Sequence, residues 1–206
     1  MPLAARMRPT DLTQVRGQAE VLRAGSPLRR LIEGRAGLAG PLSAILWGPP
    51  GTGKTTLAHL VAQAAGRSFV ELSAVSAGVK DVRAVLDQAT TERSMYGRQT
   101  VLFLDEIHRF SKAQQDALLP GVENRLIVLV AATTENPSFS VIAPLLSRSM
   151  LVRLESLDDG DVRSLLADAL TAQQGLAGEF SMDDAATEHV ISIAGGDARR
   201  ALTTLE

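Results

Sequence analysis

Short apolar runs and amphipathic stretches alternate along most of this sequence. Five of the runs are almost continuously apolar, which is typical of strands covered on both faces in a parallel sheet. These runs are Ser43 to Trp47, Ser68 to Leu72, Thr100 to Asp105, Leu126 to Ala132 and Met150 to Leu154. Because strands that alternate with helices form helix-covered parallel sheets, the pattern predicts an α/β domain built on a five-stranded parallel sheet.

Helical periodicity marks the stretches between these runs. In TLAHLVAQA, apolar side chains recur three and four positions apart, at Leu57, Leu60, Val61 and Ala64. DVRAVLDQA and KAQQDALL are further helical candidates. The glycine-rich residues from Gly34 to Pro41 predict a flexible loop before the first strand.

Strand signals end at Leu154, and only helical patterns follow. Asp158 and Asp183 stand where N-caps or first-turn acids are expected. We therefore place a domain boundary near Glu155, between an α/β domain of residues 1–155 and a small all-helical domain of residues 156–206. One face of the first predicted helix in this second domain contains Val162, Leu165, Leu166, Ala169 and Leu170.

Composition limits the kinds of partner that the chain can bind. The net charge is −2 and aromatic residues make up 3% of the sequence, so contact with DNA needs a local basic patch. Cysteine is absent and the three histidines do not cluster at ligand spacing, which excludes disulfides and thiolate metal sites. No apolar segment is long enough for a signal peptide or a membrane span, so we expect a cytoplasmic protein without a membrane partner.

The stretch GPPGTGKT matches the phosphate-binding pattern G-x-x-x-x-G-K-[ST], directly between a predicted strand and a predicted helix. In such a loop, glycines let backbone N–H groups surround the phosphates, and the helix N-terminus adds its positive dipole. We expect Lys54 to reach the β- and γ-phosphates and the Thr55 hydroxyl to bind Mg²⁺. The alternative is a glycine-proline turn with a chance lysine, which would not need to lie between a strand and a helix. The predicted nucleotide contacts are Gly48, Pro49, Pro50, Gly51, Thr52, Gly53, Lys54, Thr55 and Thr56.

Two acids close the third apolar run, in TVLFLDEIHRF. In phosphate-loop enzymes an acid at this position, here Asp105, holds the Mg²⁺ shell, and an adjacent glutamate, here Glu106, can deprotonate the attacking water. The alternative is that Glu106 only starts the following helix, where its charge suits the helix dipole. His108 and Arg109 suit a solvated loop first, and a contact with DNA or a neighbouring subunit second.

The residues between the fourth run and the fifth leave more than one interpretation open. Thr134, with Thr133 and Asn136 beside it, could contact the γ-phosphate or the attacking water, but a turn leading into Pro137 explains the same residues. Arg148 is either a surface cation or a finger that reaches the γ-phosphate of a neighbouring subunit.

Taken in order, these motifs resemble those of AAA+ ATPases, and more narrowly those of the family of replication-associated recombination protein A (RarA/MgsA). The phosphate loop and the acidic pair occur across AAA+ proteins, whereas DEIHRFSKAQQD followed by ATTENPSF is more specific. RMRPTDLTQVRGQ, SAVSAGVKDVR, LLSRS and GDARRAL extend the resemblance over nearly the whole chain. It implies an AAA+ phosphate-loop fold in which the helices after residue 155 form a lid.

The resemblance also assigns roles to single residues. It places Val15, Arg16 and Gly17 nearest the adenine. It makes Thr134 the first sensor of the γ-phosphate, Arg148 the arginine finger supplied to the neighbouring subunit, and Arg199 the second sensor, supplied by the lid.

The function that the resemblance implies is DNA-dependent ATP hydrolysis between subunits, at replication forks and recombination intermediates. The cofactors would be ATP and Mg²⁺. The partners would be forked DNA or single-strand/double-strand junctions, repair proteins such as single-strand-binding protein, and further copies of the chain, at a nucleoid-associated location. Lys80 and Arg83 would face the DNA, although their charges equally suit the solvated face of a helix. The alternatives are a nucleotide-gated scaffold with little hydrolysis and, less compatible with a helical lid, a phosphate-loop kinase.

The chain departs from the family pattern at two points. Asn124 and Arg125 replace the glycine turn that usually follows LLPGVE, and arginine makes a positive φ more costly, so we expect a turn of different shape. Family members also continue past Glu206 into helices that drive assembly, so we expect this chain to stop within or just after the last lid helix.

Overall fold

The computed structural model describes residues 1–34, 43–63 and 66–206. Two parts of the sequence prediction lie outside these residues: Ala64, and all of the predicted loop from Gly34 to Pro41 except Gly34 itself.

The chain packs as two compact units. The sheet unit consists of Glu20–Gly48 and Leu57–Arg153, and the loop unit of Met1–Ala19, Pro49–Thr56 and Leu154–Glu206. The domain boundary that the sequence places near residue 155 stays a prediction.

Five parallel strands form the sheet, in the order β2-β3-β4-β1-β5. All five predicted strands are confirmed to within one residue at either end, as is their parallel arrangement. The central strands β1, β3 and β4 are buried along almost their whole length because helices and neighbouring strands cover them, whereas the edge strands β2 and β5 are only partly buried. The strands are β1 (Ser43–Trp47), β2 (Ser68–Ser73), β3 (Thr100–Asp105), β4 (Ile127–Thr133) and β5 (Ser149–Arg153).

Helices precede, separate and follow the strands, and two 3₁₀ turns, Leu12–Gln14 and Ile107–Arg109, stand between them. The helices of the described residues are α1 (Leu3–Arg6), α2 (Pro27–Ile32), α3 (Lys54–Gln63), α4 (Val79–Tyr96), α5 (Lys112–Asp116), α6 (Leu119–Glu123), α7 (Pro137–Ser140), α8 (Ala143–Leu146), α9 (Asp159–Thr171), α10 (Asp184–Ala194) and α11 (Ala198–Leu205). None of them is long and apolar enough to cross a membrane.

The core of the sheet unit forms where α4 packs on β3 and its neighbours. Val82 and Val85 of α4 belong to the same buried cluster as Leu102 and Leu104 of β3. The three- and four-residue spacing of apolar side chains in α4 therefore corresponds to the face that it buries.

One predicted helix is divided in the structure. KAQQDALL, together with the residues after it, forms α5 and α6 instead of one helix. Pro120, near the start of α6, explains the break, because proline has no N–H and its ring would collide with the carbonyl four residues earlier, that of Asp116. The single-helix prediction was wrong at this point.

A half-buried arginine donates hydrogen bonds to the C-terminal turns of two helices in the sheet unit. The Nη1 of Arg67 donates to the carbonyl of Val61 at 2.9 Å and to that of Leu31 at 3.4 Å. These carbonyls lie in the last turns of α3 and α2, where helices leave acceptors without intrahelical partners. Burial lowers the pKa of Arg67, but the guanidinium remains a charged donor for both.

The end of the loop unit is helical and contains no strand among the described residues from 154 onward. Asp158, Asp183 and Asp197 each accept a hydrogen bond from a first-turn N–H, of α9, α10 and α11 respectively. The N-caps predicted at Asp158 and Asp183 are thereby confirmed, and each cap satisfies an N–H that the helix itself cannot.

The N-terminus packs within the same unit. Leu3 is buried in a cluster with Leu165, Ala169 and Leu202, from α9 and α11. The N–H of Leu3 also donates to Oε2 of Glu206 at 3.1 Å. Leu3 is therefore held by α9, α11 and the residue that follows α11.

Candidate functional site

The phosphate loop follows β1 and leads directly into α3, as its sequence pattern requires. Gly51 and Gly53 have φ angles of 69° and 95°, a region that residues with a Cβ rarely adopt. A Cβ on Gly53 would meet no atom within 4 Å, so the space beside this residue is open. A Cβ on Gly51 would collide with Asp197, at 1.8 Å from its Oδ1 and 2.9 Å from its Cα. Gly53 leaves room beside the loop, and Gly51 allows Asp197, at the start of α11, to pack on the loop.

Carbonyl groups of the loop are bound by donors from the rest of the loop unit. The Gly51 carbonyl accepts the N–H of Ala198 at 3.2 Å, and the Thr52 carbonyl accepts Nε2 of Gln18 at 3.4 Å. A planar peptide directs its C=O and its N–H to opposite sides. Fixing these two carbonyls therefore directs the N–H groups of Thr52 and Gly53 to the other side of the loop, where phosphate oxygens could accept them.

The side chains of the loop also bond to its own backbone. The Nζ of Lys54 donates to the carbonyl of Pro49 at 2.6 Å, and the Oγ1 of Thr52 donates to the same carbonyl at 3.0 Å. The peptide between Pro49 and Pro50 has no N–H that could bind a phosphate, because Pro50 is a proline. Its carbonyl accepts both of these bonds.

Replacing Gly51 with alanine should lower the free energy of unfolding by about 2 kcal/mol or more, because strain at a positive φ adds to the collision with Asp197. The matched control is Gly97→Ala, where φ is 64° but a Cβ would meet nothing within 4 Å. Strain alone should cost that variant about 1 kcal/mol. Urea unfolding of both variants checks this, and equal losses would show that the contact with Asp197 contributes nothing.

The residues that the resemblance places near adenine are tied to α9. Arg16 forms an ion pair with Asp168, through Nη2 and through Nε at 3.1 Å. The N–H of Gly17 donates to Oδ1 of Asp161 at 3.2 Å, and Val15 is half-buried. The guanidinium of Arg16 is thus already engaged by a carboxylate, and the adenine role of Val15, Arg16 and Gly17 stays a prediction.

Arg199 and its neighbour Arg200 lie in the first turn of α11. Gly195 and Gly196 both have positive φ and turn the chain, and Asp197 caps the helix by accepting the N–H of Arg200 at 3.0 Å. The side chains of Arg199 and Arg200 are exposed. A contact of Arg199 with phosphate stays a prediction.

In the sheet unit, the acidic pair lies where β3 ends. Asp105 is the last residue of the strand, and its Oδ1 accepts the N–H of Glu106 at 3.0 Å. Glu106 has a φ of 55°, the left-handed region that costs a residue with a side chain about 1 kcal/mol or more. Its carboxylate makes no capping bond to the 3₁₀ turn that follows. Helix initiation alone therefore does not explain a glutamate in a strained position here.

The end of β4 lies beside the end of β3, and a histidine bridges them. The Nδ1 of His108, which follows the acidic pair, lies 3.0 Å from Oγ1 of Thr133, the last residue of β4. Thr133 is buried and its Oγ1 also accepts the N–H of Glu135, whereas Thr134 is exposed. The structure thus brings Glu106, His108 and Thr133 to neighbouring strand ends, while the sensor role of Thr134 stays a prediction.

Other residues from the sequence prediction lie on the surface of the sheet unit. Nη2 of Arg148 lies 2.8 Å from Oε1 of Glu123, and its Nη1 donates to the Pro144 carbonyl at 2.9 Å. Lys80 and Arg83 are exposed near the start of α4. Arg109 is also exposed, with its Nε 3.9 Å from Oε2 of Glu106.

Sequence reasoning missed residues that the structure makes important. Gln18 stands in the quoted motif RMRPTDLTQVRGQ but received no role. Asp161 and Asp168 gave no signal, because α9 contains three aspartates and nothing local distinguishes them. Glu123 received no role, because its partner Arg148 is distant in the sequence.

The loop GPPGTGKT, placed between β1 and α3, is the phosphate-binding loop of a phosphate-loop nucleotide-binding protein. The chain belongs to the AAA family, because the family model described as "ATPase family associated with various cellular activities (AAA)" matches residues 44–156.

Curated relatives match the chain over its whole length and confirm the resemblance to the RarA family. An uncharacterised AAA domain-containing protein of Mycobacterium tuberculosis is 56% identical over 205 residues, and replication-associated recombination protein A of Escherichia coli K12 is 48% identical over 208. The match covers 100% of this chain but 44% and 45% of those proteins. The chain therefore spans less than half the length of these relatives.

A solved structure is similar in fold. The RuvB Holliday junction branch migration motor of Thermotoga maritima superposes with a TM-score of 0.76 and 28% identity, covering 96% of this chain and 63% of that one. The five-stranded AAA+ fold predicted from the motifs is thereby confirmed.

Proposed function

We propose that this chain is the ATPase part of a DNA-dependent AAA+ protein that hydrolyses ATP between subunits. The observation that carries the hydrolytic part is Glu106, a glutamate held in a left-handed conformation directly after Asp105 and beside the His108–Thr133 pair. Strained residues persist where the surrounding structure holds them, and they cluster at functional sites. A base that takes a proton from water is the role that a carboxylate at this strand end can perform.

The remaining roles follow the chemistry of phosphoryl transfer. Lys54 neutralises the β- and γ-phosphates, and the loop amides hold them. Thr134 and Arg199 contact the γ-phosphate within one subunit, and Arg148 supplies positive charge to the next subunit. Glu106 takes the proton as the water oxygen bonds to the γ-phosphorus and the bond to the β-phosphate oxygen breaks, giving ADP and phosphate.

Thr55 and Asp105 are the residues that would hold Mg²⁺. Mg²⁺ is usually bound by one or two protein oxygens and completes its shell with phosphate oxygens and water. A hydroxyl and a carboxylate are suitable donors for this ion. No group of three or more His, Cys, Asp or Glu side chains that could hold a metal occurs in the described part of the chain. When bound, Mg²⁺ would neutralise charge on the phosphate oxygens.

The DNA role draws its support from the relatives. One relative is named for replication-associated recombination, and one structural neighbour is titled a Holliday junction branch migration motor. We propose that the whole protein acts at replication forks and recombination intermediates, as a homo-oligomer with repair partners such as single-strand-binding protein, at a nucleoid-associated location in the cytoplasm. Lys80 and Arg83 are exposed and positively charged, as DNA contacts need to be.

The test is the rate of phosphate release against protein concentration, with and without forked DNA. Hydrolysis between subunits predicts a rate per subunit that rises steeply with concentration, and DNA coupling predicts a further change with forked DNA. The control is Lys54→Ala, which should be inactive at every concentration. A rate that never exceeds this control would favour the alternative, a nucleotide-gated scaffold with little hydrolysis.

A further inference from the structure

Gln18 makes three side-chain hydrogen bonds, all to backbone groups of the loop unit. Its Nε2 donates to the carbonyl of Glu155 at 2.7 Å and to the carbonyl of Thr52 at 3.4 Å. Its Oε1 accepts the N–H of Glu155 at 3.2 Å. Thr52 belongs to the phosphate loop, and Glu155 lies at the start of the C-terminal helical segment. One side chain therefore connects these two parts.

The chemistry of the contact calls for an amide. A carboxylate of the same length offers only acceptors, so it could not donate to either carbonyl. A lysine offers only donors, so it could not accept the N–H of Glu155. Glutamine satisfies both backbone groups of Glu155 and still has a second N–H for Thr52.

The backbone of Gln18 is strained, so the turn alone does not explain a glutamine at this position. Its φ is 61°, directly after Gly17 at 67°. A glycine at position 18 would adopt this conformation without steric strain. The strained glutamine contributes what glycine cannot, namely the hydrogen bonds of its amide.

We propose that Gln18 is a positioning residue for the phosphate loop. The carbonyl of Thr52 shares a peptide with the N–H of Gly53, so holding the carbonyl keeps that N–H directed toward a bound phosphate. Because the same amide holds Glu155, a displacement at the start of the helical segment changes the loop through Gln18. Nucleotide binding and the position of this segment are thereby coupled. The inference rests on the proposed function in one respect, that the loop binds the phosphates of a nucleotide.

The test compares Gln18→Gly and Gln18→Glu with the native chain. Glycine removes the amide and relieves the strain, while glutamate keeps the length and removes both donors. We expect each variant to bind a fluorescent ADP analogue about tenfold more weakly, because both lose the hydrogen bond that holds the Thr52 carbonyl. In turnover assays the KM for ATP should rise while kcat changes little. Gln173→Glu, an exposed position on the same unit, is the control for added charge and should bind as the native chain does.

Thermal unfolding without nucleotide separates positioning from stability. The unfolding temperature of Gln18→Gly should lie within a few degrees of that of the native chain, because glycine relieves the strain. If Gln18 only stabilised the fold, a variant of native stability would also bind the ADP analogue with native affinity. Native affinity in Gln18→Gly would overturn the proposal, even if Gln18→Glu bound weakly. Absence of hydrolysis in a native chain that binds the analogue would defeat the proposed function alone. A native chain that does not bind the analogue would overturn both.

Discussion

Replacing Arg148 with alanine should lower the rate of ATP turnover by about 10³-fold at protein concentrations that support assembly. An arginine supplied to a neighbouring active site stabilises the charge that spreads over the transferring phosphoryl group, and such fingers contribute factors of this size. In the structure Arg148 is paired with Glu123 at 2.8 Å, and both side chains are more than one-third exposed. Exposed ion pairs are worth about 0–1 kcal/mol, so exchanging Glu123 for a phosphate on another subunit costs little.

A mixing experiment tests whether Arg148 acts in trans. Arg148→Ala keeps its own phosphate loop, and Lys54→Ala keeps its arginine, so hybrid interfaces between the two inactive variants should restore part of the activity. The matched control is Arg163→Ala, because Arg163 is likewise an exposed arginine paired with a glutamate, Glu188, and should retain native activity. An assembled mixture that shows no recovery would count against a trans role.

Replacing Glu106 with glutamine should leave nucleotide binding intact while lowering turnover by about 10²-fold or more. Glutamine has the same shape but cannot accept a proton from water, and general-base catalysis contributes factors of about 10² to 10⁴. Binding should persist because the phosphate contacts belong to the loop. A fluorescent ADP analogue measures the first expectation, and phosphate release measures the second.

The control for Glu106→Gln is Glu179→Gln, which removes one negative charge from an exposed position. This variant should bind and hydrolyse like the native chain. If Glu106→Gln also hydrolysed ATP at the native rate, the base would have to be another group, and the strain at position 106 would need another explanation.

The apolar pattern was sufficient to predict the five strands, and local chemistry was sufficient to predict the phosphate loop and the caps. β1 and β3 were placed with their observed limits, because their central residues are continuously apolar and buried. The break between α5 and α6 was missed although its cause, Pro120, is visible in the sequence. Arg125 kept a left-handed φ of 52° where a turn of different shape was expected, because neighbouring contacts can hold a residue against its local preference.

Contacts between distant parts of the chain were beyond prediction. Arg16 meets Asp168, which is 152 positions away, and nothing local distinguishes that aspartate from the others of α9. Gln18 was visible as part of a motif, but its partners are backbone groups, which carry no sequence signature. Thr133 and Thr134 are identical in type and adjacent, and only the geometry of the end of β4 decides which is buried.

The position of β1 in the sheet has a consequence for how the protein is made. β1 pairs with β4 and β5, so the Ser43 hydroxyl finds the N–H of Leu129 only after 86 further residues have been added. During synthesis, the almost wholly apolar β1 is made before β4 and β5, the two strands with which it pairs. Native pairing at the centre of the sheet is therefore a late event with a large loop to close, and such unpaired strands are aggregation-prone until their partners arrive. β1 is therefore open to incorrect pairing until β4 and β5 are complete.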